Sequence, residues 1–239
     1  MKIIMKDSEL IQLYKPYEST KAFYNQIQKS KLLNRNTKSI IDIGTGIGSN
    51  LQYFSKKNKS IKFLGLDYQS DRIKFGRKIN KNSNISLKRF NILKSVKNFS
   101  GKFDGLICIH TLCCFKKIDL VIKNFCLIKP KWIAINSLFF EGPLDVLIHI
   151  RDHDNPKLKD NNPNSDFNIF SLSNLEKMFQ KYGYKIVIKK PFFPKKKIKK
   201  PPKNIRGSYT IKTEMNKNTT FSGPVFLPWY FIIAKKKGI

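Results

Sequence analysis

Short apolar runs alternate with amphipathic stretches through the middle of the chain. Runs at Ile40–Ile43, Ile61–Leu66, Ile85–Phe90 and Trp132–Leu138, and Phe103–Leu112 as a strand with the turn after it, have the length and side-chain types of buried strands. Between them apolar residues recur at helical spacing: Leu51 and Phe54, then Ile73, Phe75 and Ile79, then Leu120, Val121, Phe125 and Leu127. Ser70-Asp71 is placed to cap the second of these helices. Strands separated by helices predict right-handed crossovers and a parallel sheet covered on both faces. Upstream, residues 7 to about 30 read as two short amphipathic helices, one with Leu10, Ile11, Leu13, Tyr14 and Tyr17, the next with Phe23, Tyr24 and Ile27 after Ser19-Thr20. Downstream, Leu172 to Tyr182 reads as a helix with Ser173 and Glu176 as its capping box and Gly183 as its stop. A strand from Tyr184 to Lys190, a hairpin of Ser208–Thr213 with Thr219–Phe221, and a last strand from Trp229 to Ala234 complete the pattern.

The junction after the first run, Ser39 to Asn50, is the most informative stretch. There the apolar run meets Gly44, Gly46 and Gly48 at alternate positions, and a helical pattern follows. Glycine accepts positive φ and lets another molecule lie against bare backbone. The helix that starts there is expected to point unpaired N–H groups at that molecule. The next run ends in Asp67. In a parallel sheet its carboxylate lies beside the glycine turn, where it can accept hydrogen bonds from two ribose hydroxyls, a geometry the dinucleotide folds use.

The segment D-I-G-T-G-I-G followed by G-L-D resembles the first two motifs of class I S-adenosylmethionine-dependent methyltransferases. It departs from the NAD fingerprint in spacing, G-x-G-x-G, and in the acidic Asp42 at the strand end. An extra carboxylate repels a diphosphate, whereas a sulfonium cofactor carrying an amino acid tolerates it. Phe103 to Leu112 resembles the family's F-D-x-[apolar]3-x-H-x-L pattern, and Leu127-Ile128-Lys129-Pro130-Lys131 its L-K-P-G-G turn, with Lys131 replacing a glycine. The resemblance runs over about 100 residues with every element in order, from Ser39 to about Leu138.

It implies an α/β, Rossmann-like, seven-stranded sheet, mostly parallel, with helices on both faces and the last strand antiparallel between the fifth and sixth. The whole chain, 1–239, then reads as a single methyltransferase domain: a helical cap (1–35), a cofactor-binding core (36–138), an acceptor-side insertion (139–170) and a C-terminal helix, strands and hairpin lid (171–239). S-adenosylmethionine is the implied cofactor. Its implied binding residues are Asp42, Gly44, Thr45, Gly46, Gly48, Asp67, Tyr68, Asn91, Ile92 and His110. Within this set Asp67 holds the ribose, Asn91 accepts a hydrogen bond from the adenine amino group, and His110 lines the pocket at the methionine end. N-terminal helices of such enzymes often cap the cofactor, which makes Tyr14 and Tyr17 candidates too. Ile109-His110-Thr111-Leu112 stands where amide and adenine amino methylation would require an N-P-P-Y-type motif.

Composition changes the picture in two places. The 239 residues carry 47 Lys+Arg against 16 Asp+Glu, a formal net charge of +31, which suits a polyanionic partner. Yet only six of the cations are Arg, at 35, 72, 77, 89, 151 and 206. Lys, Asn and Ile share A/T-rich codons, so an RNA methyltransferase using the lysine surface is the alternative reading, not the favoured one. Cys108, Cys113, Cys114 and Cys126 fall in apolar context without a C-x-x-C pair, as buried reduced thiols do. No apolar run approaches the roughly 20 residues of a membrane span, and Met1 to Asp7 turns acidic too early for a signal peptide. A cytoplasmic protein is expected.

Two segments exceed what the sheet needs and are expected to shape the acceptor site. In Glu141 to Phe170, a helix would put His149 and His153 on one face near Asp152 and Asp154; a metal is not favoured, and His153 is the candidate general base for an acceptor hydroxyl. In Pro191 to Pro228, lysines interleaved with prolines precede the hairpin, and Phe221 to Tyr230 brings aromatics back to the sheet, with Arg206 or the lysines able to hold a phosphate. The expected acceptor is a small molecule such as a sugar or polysaccharide precursor, O-methylated. A non-catalytic cofactor-fold scaffold is a further alternative.

Overall fold

The structure is a computed structural model and describes residues 15–149, 166–195, 197–199, 208–212, 218–222 and 225–238. Strands β1 (Ser39–Ile43), β2 (Lys62–Asp67), β3 (Ile85–Arg89), β4 (Gly105–Ile109), β5 (Trp132–Phe140), β7 (Tyr184–Phe192) and β11 (Trp229–Lys236) form one sheet in the order β3-β2-β1-β4-β5-β11-β7. The first five are parallel to one another, and β11 runs antiparallel to both β5 and β7. Two residues, β6 (Phe170–Ser171), add alongside the far end of β5. Strands β8 (Ser208–Lys212), β9 (Asn218–Ser222) and β10 (Val225–Phe226) make a separate three-stranded antiparallel sheet, which includes the expected hairpin.

β4 shows why the sheet takes this form. All five of its residues are buried, as a central parallel strand requires. Leu106 and Cys108 join a core with α4 (Asp119–Leu127) and α5 (Leu172–Lys181). Ile107 and Ile109 join a second core with α1 (Glu18–Lys29), α2 (Ser49–Lys57) and α3 (Ser70–Ile79). Helices therefore cover both faces, and period-2 alternation assigns each side chain to one of the two cores.

Several local expectations are corrected. The helix of Leu10 to Tyr14 lies outside the described residues. α1 begins at Glu18, so Ser19 and Thr20 are buried helix residues; their hydroxyls pair with His110 Nε2 and Asn50 Oδ1. α3 takes Gln69, not Ser70, as its N-cap residue, and there the Gln69 N–H is held by Asp67. α5 is capped by Ser171, whose Oγ accepts from Asn174 N; Glu176 pairs instead with Lys189. On α4, Leu120 and Leu127 are exposed and the buried face is Val121, Ile122 and Phe125.

Gly105 opens β4 directly beneath the Trp132 ring, where an added Cβ would lie 2.1 Å from a ring carbon. The ring is 4 % exposed and cannot swing away without opening the core. Gly105→Ala is therefore expected to destabilise the fold by about 1–3 kcal/mol, the usual overpacking cost, read from urea midpoints. An unchanged midpoint would show that the ring yields freely.

Candidate functional site

The carboxyl ends of the parallel strands bring the expected residues to one edge. Gly44, Gly46 and Gly48 all take positive φ (78°, 57° and 85°), which explains glycine at each alternate position. They differ in surroundings. A Cβ on Gly44 would meet the Thr111 side chain at 2.2 Å, and Thr111 Oγ1 donates to the Gly44 carbonyl. At Gly46 nothing lies within 4 Å of that position, so this is the open backbone of the turn.

Most N–H groups of the turn before the helix are engaged within the protein. Gly44 N and Thr45 N donate to the Leu66 carbonyl at 2.8 and 3.0 Å, Gly48 N to Thr45 O, and Gly46 N to Asp67 Oδ2 at 2.9 Å. Four N–H groups of the turn are thus satisfied within the protein. A diphosphate needs such donors free. A cofactor that lays carbon, ribose and an amino acid across the turn does not.

Asp67 is 6 % exposed, and its oxygens accept from Gly46 N and Gln69 N, each at 2.9 Å. Burial raises its pKa, and those two N–H groups with Arg72 act against the rise. An ionised carboxylate has about four acceptor positions, so capacity remains for two hydroxyls. Asp42 is 1 % exposed, and no described residue hydrogen-bonds either of its oxygens. Burial pushes its carboxyl up to about 7, aided by the Asp67 charge; the nearby Thr45 hydroxyl, itself without a partner in bonding geometry, pulls the other way. Orphaned buried oxygens of this kind mark a place where a donor is due.

His110 follows β4 in the left-handed region, φ 57°. Its backbone N donates to Asn136 O, while Nε2 lies 2.9 Å from Ser19 Oγ and 3.0 Å from Asn136 Nδ2. Burial lowers its pKa to about 4, so the ring is neutral at physiological pH. The rings of Tyr17 and Trp229 meet it edge-on at 5.5 and 4.7 Å. Tyr68 is exposed beyond Asp67, and Gln69 Nε2 donates to its hydroxyl. Ile92 is buried, whereas Asn91 is exposed and its Oδ1 already accepts from Leu93 N. The residue pattern did not reveal Ser19, Thr111 or Asn136.

His153, Arg151, Asp152, Asp154, Tyr14 and Arg206 lie outside the described residues. His149 stands in an isolated β-bridge with Asp166, its Nδ1 3.5 Å from Oδ1, so the helical face expected to carry it is not formed there. No group of three metal-ligating side chains occurs among the described residues. All four cysteines are free, and Cys108, Cys113 and Cys126 are buried.

This sheet order, glycine turn and acidic strand end define the class I methyltransferase architecture. The chain belongs to the family described as "Methyltransferase domain", whose pattern matches residues 20–189. S-adenosylmethionine is the cofactor that goes with it. The uncharacterized protein RP028 of Rickettsia prowazekii (strain Madrid E) is 36% identical over 75 residues, a stretch spanning 30% of each chain. Among solved structures, a SAM-dependent methyltransferase from Aquifex aeolicus is 15% identical, covering 96% of this chain and 98% of that one, with a TM-score of 0.55. Another, taken to be a sarcosine dimethylglycine methyltransferase of Galdieria sulphuraria, is 13% identical with a TM-score of 0.54; the match covers 72% of this chain and 63% of that one. The N-terminal domain of EvdMO1, solved with SAH and D-fucose, is 9% identical over 93% of this chain and 84% of that one, TM-score 0.58. These likenesses show a shared fold. No helix among the described residues is long and apolar enough to cross a membrane.

The raised Asp42 pKa makes a pH prediction. The folded carboxyl holds its proton to about pH 7, whereas the unfolded one releases it near the ordinary value of about 3.9. Its contribution is fully present below that value and is lost as pH rises through 7. The stability of Asp42→Asn relative to wild type is therefore expected to rise between pH 5 and pH 8, read from denaturant midpoints. A difference that stays constant would show that the carboxyl titrates normally.

Proposed function

We propose that this protein transfers a methyl group from S-adenosylmethionine to a hydroxyl of a small molecule, such as a sugar or polysaccharide precursor. The observation that carries the cofactor half is the Asp67 carboxylate, fixed at 2.9 Å on Gly46 N beside the open face of Gly46. In this reading Asp67 takes the ribose hydroxyls, and the unpaired oxygens of Asp42 take donors at the amino-acid end. Gly46 gives the clearance, Gly44 and Gly48 shape the turn, and Thr45, Tyr68, Asn91 and Ile92 complete the binding surface. His110, with Nε2 already engaged, serves as a pocket wall. The cofactor supplies an electrophilic methyl whose transfer leaves a neutral thioether. What falls to the protein is alignment, exclusion of water and removal of the hydroxyl proton.

For that proton we keep His153, whose neighbours Asp152 and Asp154 would favour its charged form. The sugar reading draws support from the aromatic edge formed by Tyr17 and Trp229 around His110. The fold it shares with a domain solved beside D-fucose adds to that support. We read 1–239 as one methyltransferase domain. We also assign its work to a reducing cytoplasm, in keeping with four free thiols.

Asp67→Ala is expected to weaken S-adenosylmethionine binding at least tenfold in calorimetry, the loss of two charge-assisted hydrogen bonds. Gly46→Ala is expected to fold at a cost of about 1–2 kcal/mol for its left-handed φ and to lose cofactor affinity as well. Full affinity in both would dismiss the site. Methyl transfer from labelled cofactor into fractionated extracts is expected to label the glycan or small-metabolite fraction; label in nucleic acid alone would overturn the acceptor reading.

A further inference from the structure

The described acids are unevenly divided between the two ends of the sheet. At the carboxyl ends of the parallel strands stand Asp42 and Asp67, and the helices that start there place Glu18, Asp71 and Asp119 in their first turns. At the other end the register lines up Lys62 beside Ser39, and Lys235 beside both Trp132 and Lys185. Because β11 is antiparallel, its basic terminus also finishes here: Lys236 N donates to Lys131 O and Lys237 N to Gly183 O. Asp104 is the one carboxylate on this edge among the described residues. It is already engaged, by Lys131 Nζ at 2.7 Å and by the backbone N–H groups of Lys38 and Ser39.

Helix dipoles favour a cation in each last turn, by less than about 1 kcal/mol each. They account for Lys29, Lys56 and Lys57 but not for Lys31, Arg35, Lys38 and Lys59 in the connecting loops. Between the α1–β1 and α2–β2 loops lies an open hollow of about 560 Å³, lined by Asn34, Arg35, Lys56, Lys57, Asn58 and Lys59 among others. It is shallow and open, and its lining holds no carboxylate.

We propose that this hollow and the basic edge around it dock the sugar-phosphate backbone of a nucleic-acid strand. Lysines mixed with asparagine amides give point charges and neutral donors, which grip phosphate and sugar without reading bases. An anionic membrane would be met by a basic face with several apolar anchors. Here Phe140, Leu144 and Leu147 lie at or beyond the opposite end of β5, and Leu127 at the end of α4 is a single exposed leucine rather than a set of anchors. Five-residue β1 and β4 separate the hollow from the glycine turn by about 16 Å. The docked strand is therefore a tether that localises the enzyme, and this contact does not make it the methyl acceptor. The inference stands whichever acceptor the mouth takes.

The test is fluorescence anisotropy with a labelled oligouridylate of about 20 nucleotides across a salt series. Arg35→Ser/Lys56→Ser/Lys59→Ser is expected to weaken binding at least tenfold at low salt and to reduce the slope of log K against log salt by about 2. A control, Lys74→Ser/Lys94→Ser/Lys123→Ser, removes the same charge elsewhere and is expected to change affinity less than threefold. Acetylation footprinting of the unaltered protein gives a second measurement, with Lys56 and Lys59 protected by the oligonucleotide. Equal losses in the two triple variants, unprotected Lys56 and Lys59, or capture by phosphatidylglycerol vesicles with no oligonucleotide binding would each overturn the proposal.

Discussion

One hydrogen bond, from the Gly46 N–H to the Asp67 carboxylate, ties the glycine turn to the end of the neighbouring strand. Leu66 immediately before it takes the N–H groups of Gly44 and Thr45, so the β1–α2 turn is stitched to β2 at two successive residues. That stitching holds three consecutive alternate residues in the left-handed region and leaves the face of Gly46 clear. Thr111, after β4, closes the other side by packing on Gly44. The turn is thus held from both neighbouring strands, and its shape does not wait for a ligand. Pre-organisation of this kind lowers the ordering cost of binding.

Electrostatics at the mouth are consistent with a cationic occupant. Two buried carboxylates stand within influence of each other, each raised by desolvation, and Asp42 further raised by the charge of Asp67. A bound cation would offset both penalties. The one histidine there is neutral because burial disfavours its charged form, so it adds no opposing positive charge. The same three residues would be poorly arranged for an anion: the turn's donors are engaged, and the carboxylates repel it. The proposed sulfonium donor is therefore favoured over a nucleotide diphosphate by charge as well as by hydrogen-bond supply.

The strands and their order were legible because parallel strands buried on both faces leave uninterrupted apolar runs, as Leu106 to Ile109 does. The glycines were legible because backbone that must take positive φ admits few other residues, and Asp67 because it ends an apolar run as a lone acid. Caps were read less well. Ser70 and Ser173 have the right chemistry, but the N-cap positions fall to Gln69 and Ser171, and position is fixed by the strand that precedes each helix. Contacts such as Ser19 to His110, 91 residues apart, leave no trace in local pattern. Nor could periodicity tell that the turn's N–H groups are satisfied internally, since the acceptors, Leu66 O and Asp67, belong to another strand.

The lysine excess shows what the fold adds to composition. A bias towards A/T-rich codons scatters lysine without regard to geometry, and exposed lysines such as Lys74 and Lys123 do stand on helices away from the basic edge. Such drift does not sort the acids. Among the described residues Asp42 and Asp67 stand buried at the mouth with Glu18, Asp71 and Asp119 in the helix turns beside them, and Asp104 on the opposite edge is paired with Lys131. If the basic edge docks a strand as proposed, nucleic acid and cofactor would sit at opposite ends of the sheet, and neither would compete with the other for the same surface.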